Sequence, residues 1–229
     1  MALTVTHAAA VPEDAALVAV GVRSDHLDDD ADGADLALLG AQGFEGKVGQ
    51  TALVGGEPMR LLVGLGASDD LGPAALRRVG ASIVKAARRE PTVVASVLDH
   101  VTQQRPASAE ALAEGLVLGA YRYGEYKDAD ESVKLTDVVV AAKGGKTVAA
   151  ALEKGVQVAA AVSLARDLVN EPGGSLTPTA FAKRAEQAAN AAGLTIEVLD
   201  KAAIEKAKLG GLLGVNRGST QPPRFLKIS

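Results

Sequence analysis

Short apolar runs alternate with stretches of helical spacing along most of this chain, and that alternation is its strongest constraint on fold. Residues 15–22 form an apolar run bounded by polar residues, which predicts a buried strand. Residues 51–54 and 60–64 are two more such runs. They are separated by Gly55-Gly56-Glu57-Pro58, which predicts a hairpin. Gly72-Pro73 then opens a helix with proline at its first position. Leu76, Val79, Gly80, Ile83, Val84 and Ala87 fall on one stripe of that helix, and Arg77, Arg78, Lys85, Arg88 and Arg89 decorate the rest. A strand is predicted over 92–98, a helix over 107–121 and a strand over 136–142. Strands and helices in turn predict an α/β layer architecture, a mixed sheet flanked by helices.

A long Ala-rich helical pattern runs from Lys146 to about Leu168, with Val148, Leu152, Val156, Ala159 and Val162 near one face. At more than 20 residues it is long enough to bridge two bodies about 30 Å apart. Three regions are therefore expected: an N-terminal α/β domain over 1–143, a linker helix over 144–169 and a third region over 170–229. In the third, Thr177-Pro178 supplies a hydroxyl cap and proline for a helix ending near Ala192, with Gly193 after it. A strand is predicted over 194–199, a short helix capped by Asp200 after it, and strand-like pieces at 212–215 and 224–228.

Composition narrows the function. Of 229 residues 48% are hydrophobic but only 3% aromatic, so the core is built from Val, Leu, Ile and Ala. There is no cysteine, which excludes disulfides and thiolate metal sites. The net charge is −4 and no Lys/Arg cluster interleaves with aromatics, which argues against nucleic acid. No signal peptide pattern opens the chain, and no uninterrupted apolar run reaches the roughly 20 residues that span a bilayer. A soluble, cytoplasmic protein without membrane contact is expected.

No familiar catalytic pattern emerges. Gly64-Leu65-Gly66-Ala67-Ser68 follows a strand, but Asp69 stands where a dinucleotide fingerprint needs its third glycine. A tight strand-to-helix turn is the better reading. Asp28-Asp29-Asp30 with Asp32 lacks the later glycine and glutamate of a calcium loop and reads as a solvated acidic stretch. His7, His26 and His100 lie far apart and in no metal-binding spacing. Arg166 and Asp167 read as solvation or interdomain charges.

Four longer strings are more informative. Glu114-Gly-Leu-Val-Leu-Gly-Ala-Tyr-Arg-Tyr-Gly-Glu-Tyr-Lys127 carries two small helix positions, Gly115 and Gly119, and three aromatics, Tyr121, Tyr123 and Tyr126, at a helix exit. Ala165-Arg-Asp-Leu-Val-Asn-Glu-Pro-Gly-Gly-Ser-Leu-Thr-Pro178 follows, then Gly193-Leu-Thr-Ile-Glu-Val-Leu-Asp200, then Leu209-Gly-Gly-Leu-Leu-Gly-Val-Asn-Arg-Gly-Ser-Thr-Gln-Pro-Pro-Arg224. In order and spacing these resemble the leucine aminopeptidase (cytosol aminopeptidase) family, from its N-terminal domain into the start of its catalytic domain.

That resemblance implies a macro-domain-like N-terminal domain, a linker helix, and an incomplete α/β catalytic domain over 170–229. It implies a parent enzyme that forms homo-hexamers and removes N-terminal residues, leucine by preference, from peptides. Two divalent ions, Mn²⁺ or Zn²⁺, would activate a bridging water and stabilise the oxyanion. The family's ligands sit in a Gly-Lys-Gly-x-x-x-Asp-x-Gly-Gly string, a Lys-x-Asp-Met segment and an Asn-x-Asp-Ala-Glu-Gly-Arg string. None occurs in this sequence. No catalytic, cofactor-binding or metal residue is therefore expected within these 229 residues, and no bound ion. The matching residues are structural: Gly115 and Gly119, Pro172, Thr177-Pro178, Gly210, Gly211, Gly214 and Gly218. Two other readings stand beside this one: a nucleotide or ADP-ribose binding module, and a scaffold for assembly. Strands ending in an open edge would also let this chain self-associate in a non-native way.

Overall fold

The structure is a computed structural model, and it describes residues 3–128 and 130–229. The chain divides into two compact units, residues 1–163 and 164–229.

The first unit is built on a six-stranded sheet. In chain order its strands are β1 (Thr4–Ala8), β2 (Leu17–Arg23), β3 (Thr51–Val54), β4 (Met59–Gly66), β5 (Thr92–Ser96) and β6 (Asp137–Ala141). Their order across the sheet is β1-β6-β5-β2-β4-β3. All neighbours run parallel except β3, which pairs antiparallel with β4 as the expected hairpin. β2 and β4 are apolar nearly throughout because they are covered on both faces.

Three helices cover one face: α3 (Pro73–Ala86), α4 (Arg105–Ala120) and the first part of α5 (Gly145–Asn170). Proline starts α3 where the sequence places it, and Leu76, Val79, Gly80, Ile83 and Val84 are buried as the stripe requires. They meet Leu61, Val63, Val93 and Val138 from the sheet. Two short helices, α1 (Leu27–Asp30) and α2 (Leu36–Ala41), lie over Val22 and Leu62 on the opposite face. The Asp35 carboxylate caps α2 by accepting from Leu38 N.

Glycines set the helix spacing. A Cβ on Gly115 would stand 2.0 Å from the Arg77 carbonyl oxygen, and one on Gly119 would stand 2.6 Å from Ala81 Cα. α3 and α4 thus cross backbone to backbone. Gly155 of α5 has the same relation to the Glu110 carbonyl of α4, at 2.2 Å. On α5, Val148, Leu152, Gly155 and Ala159 are buried, whereas Val162 is 36% exposed. By length and composition α5 is long and apolar enough to cross a membrane. Its buried stripe, however, packs in the core of this unit.

The second unit contains the end of α5, then α6 (Pro178–Ala191), β7 (Ile196–Leu199), α7 (Lys201–Lys206), α8 (Gly210–Asn216) and β8 (Phe225–Ile228). Thr177 Oγ1 and the Asp200 carboxylate cap α6 and α7 as expected, and Gly193 has φ +70° after α6. β7 and β8 pair antiparallel, Ile196 opposite Ile228 and Leu199 opposite Phe225. The two strands satisfy each other along their inner edges, and the open edge expected for them is the outer one of the two-stranded sheet. A correction concerns residues 212–215. They lie in α8, because a four-residue apolar run carries no period to separate strand from helix.

Candidate functional site

In open α/β sheets ligands bind beyond the carboxyl ends of the parallel strands, where chain direction across the sheet reverses. Here that place is the rim formed by the ends of β2, β4 and β5. Arg23 closes β2, and its guanidinium makes a two-pronged contact with Asp30, Nε to Oδ2 and Nη2 to Oδ1 at 2.7 Å each. Arg23 N also donates to Oδ2 at 2.9 Å. The Asp30 side chain is only 6% exposed, so this member of the acidic stretch is not solvated. The sequence signal was present, an arginine seven residues before an aspartate, but nothing marked it among its neighbours.

His100 follows β5 and places Nδ1 3.9 Å from Asp30 Oδ1. Burial pushes its pKa below the ordinary histidine value, against the pull of Asp30. For Asp30 burial opposes ionisation, but the Arg23 hydrogen bonds prevail and its pKa is lowered. Next to this cluster the Asp25 carboxylate accepts from Ser68 N at 3.2 Å and from Ser68 Oγ at 3.1 Å. Asp99 accepts from Arg105 and from Lys143 N.

The turn after β4 is filled by protein. Gly66 has φ +82° and its N–H donates to the Gly46 carbonyl at 2.9 Å. A Cβ on Gly64 would stand 2.1 Å from the Lys47 carbonyl oxygen, so this glycine admits a loop and not a phosphate. The Gln50 side chain ties that loop by accepting from Glu45 N and Lys47 N and donating to the Gly43 carbonyl. Nothing at this rim favours a nucleotide.

Hydrogen bonds between its own groups tie this rim together. Asp25, Asp30 and Asp99 are each committed to a donor, and the one hydroxyl among these donors, Ser68 Oγ, is held by Asp25. His7 Nε2 lies 2.9 Å from the Ala142 carbonyl oxygen, and His26 lies 3.8 Å from Asp29, both far in sequence from His100. Among the described residues no group of three or more His, Cys, Asp or Glu side chains is arranged to hold a metal ion. Arg166 is exposed and Asp167 half-buried on the last turns of α5, and both are engaged in polar interactions. Gly115 and Gly119 do bring helices together. Around Gly210, Gly211, Gly214 and Gly218 the space is open.

Comparison with known proteins places this architecture. The cytosol aminopeptidase family N-terminal domain matches residues 6–130, and the same family's catalytic domain matches residues 163–229. A probable cytosol aminopeptidase of Mycobacterium sp. is 39% identical over 203 residues, covering 86% of this chain and 38% of the relative. One from Microcystis aeruginosa is 34% identical over 197 residues, covering 83% of this chain and 40% of the relative. Among solved structures, the bottromycin maturation enzyme BotP superposes with a TM-score of 0.80 at 35% identity, over 93% of this chain and 46% of that one. BotP has also been solved in complex with Mn. A tomato leucine aminopeptidase variant, at 21% identity and a TM-score of 0.82, shares the fold over 99% of this chain and 50% of its own. The chain thus spans between 38% and 50% of the length of these proteins. With one domain model covering most of the first unit and a second matching in order behind it, the chain belongs to the cytosol aminopeptidase family.

Proposed function

We propose that these 229 residues are the non-catalytic N-terminal portion and the opening of the catalytic domain of a two-metal aminopeptidase. The whole enzyme removes N-terminal residues, leucine by preference, from peptides in the cytoplasm, using Mn²⁺ or Zn²⁺, and works as a homo-hexamer. The ordered match of both family domains carries this reading. Residues 1–143 serve as the N-terminal domain, 144–169 as the helix joining it to the catalytic domain, and 170–229 as that domain's opening segment. None of the family's three ligand strings occurs here, so the chain holds no metal and supplies no group that attacks a peptide bond.

The test is direct. The purified chain, with Mn²⁺ or Zn²⁺ added, is expected to hydrolyse leucine p-nitroanilide no faster than buffer, and to bind neither ion stoichiometrically by calorimetry. Metal-dependent turnover that survives removal of contaminating peptidases, or a tight ion site, would overturn it.

A further inference from the structure

At the end of the sheet opposite the rim, the first unit carries a cavity of about 330 Å³. It is lined by Leu17 and Met59, which open β2 and β4, by Leu53 of the edge strand β3, by Ala86, which ends α3, and by Arg88, Arg89 and Glu90 after it. The volume lies at the lower end of the range of small-molecule sites.

Its two sides differ chemically. Leu17 is buried and Met59 packs on the core, whereas Leu53, on the edge strand, is 57% exposed. The other side is charged. Among the described residues no hydrogen bond or ion pair engages the Arg88 or Arg89 guanidinium or the Glu90 carboxylate. Their backbone is nonetheless fixed. The Arg88 carbonyl accepts from Lys134 N at 2.8 Å, Glu90 N donates to the Ala87 carbonyl at 2.9 Å, and the Pro91 carbonyl accepts from Thr136 N at 3.0 Å. Charged groups held on an ordered backbone beside a partly uncovered apolar floor form a site for a ligand carrying both signs of charge and an apolar body.

The geometry points to a free amino acid with an apolar side chain. Its carboxylate pairs with Arg88 or Arg89, whose planar fork suits that group. Its ammonium pairs with Glu90, four residues beyond the end of α3. Its side chain covers Leu17, Leu53 and Met59. A simple fatty acid fits less well, because it leaves Glu90 facing a second carboxylate or hydrocarbon. A nucleobase lacks any aromatic partner among these residues. The site is independent of peptide hydrolysis, and its failure would leave the family reading intact.

The experiment is an amide-detected NMR titration of the 229-residue chain with L-leucine. Saturable shifts are expected for Leu53, Met59, Arg88, Arg89 and Glu90, with millimolar affinity. Leucinamide, which lacks the carboxylate, and N-acetyl-leucine, which lacks the ammonium, should each bind about tenfold more weakly, the size of one charge-assisted contact. Arg88→Gln with Arg89→Gln, and separately Glu90→Gln, should weaken L-leucine binding similarly while leaving the circular dichroism spectrum unchanged. If a variant fails to fold, the two analogues still decide the matter. Absence of saturation with L-leucine, or equal binding of L-leucine and leucinamide, would overturn the proposal.

Discussion

Placing a methyl group on Gly115 perturbs the α3–α4 crossing at its tightest point. The added carbon would stand 2.0 Å from the Arg77 carbonyl oxygen, 2.8 Å from its carbon and 2.9 Å from Arg77 Cα. All three are main-chain atoms, so no rotamer relieves the clash and the helices must separate. Separation loosens Leu76, Val79, Leu112 and Leu116 in the core beneath. Overpacking of this kind costs about 3 kcal/mol at the upper end of its usual range. Alanine's better helix propensity returns about 1 kcal/mol. The net loss is about 2 kcal/mol, or about 4–8 °C in Tm for a unit of this size. Gly40→Ala is the control, since Gly40 lies exposed in α2 with nothing within 4 Å of its would-be Cβ. It should be neutral or slightly stabilising. Thermal melts followed by circular dichroism report both. If Gly115→Ala melts at or above the wild type, the backbone crossing is not what holds these helices.

Three further outcomes concern the rim and β8. Burial holds the His100 pKa below its unfolded value of about 6.5, so the unfolded chain takes up the proton first and stability falls as pH drops below that value. His100→Asn should flatten this slope in urea titrations. The pKa of Asp30 is depressed, so its contribution is present above about pH 4 and lost on further acidification. Asp30→Asn should remove that later loss. In β8 the inner-edge pairing leaves the N–H and C=O groups of Leu226 and Ile228 pointing outward, with Ile228 52% exposed. This open edge promotes self-association. Glu at both positions should raise the monomer fraction in sedimentation, and a wild-type chain monomeric at high concentration would refute it.

The legible parts were those whose signals are local. Pro73 with its apolar stripe, Asp35, Thr177 and Asp200 as caps, and Gly193 after α6 all act within one or two turns, so spacing alone reveals them. β1 was not legible, because Thr4–Ala8 has no register until it meets β6, with Val5 opposite Val138. The burial of Asp30 was hidden for a similar reason, since its environment is made by Arg23 and by His100 seventy residues away. Residues 212–215 were too short to show a period. Arg88 and Arg89 looked like decoration on α3, and only the cavity they share with the exposed Leu53 gives them a second meaning. The glycine string at 115–119 was readable as close packing, but its partner, α3, was not.

We propose that this chain supplies the front of a cytosol aminopeptidase and that the catalytic groups come from the rest of the enzyme. This is tested most directly by replacing the matching N-terminal part of the Mycobacterium relative with these 229 residues, keeping that protein's remaining length, and measuring leucine p-nitroanilide hydrolysis. The chimera is expected to turn over substrate only when Mn²⁺ or Zn²⁺ is present, while the 229-residue chain alone stays at the blank rate. A folded chimera with no activity, or a chain active without the added segment, would contradict it.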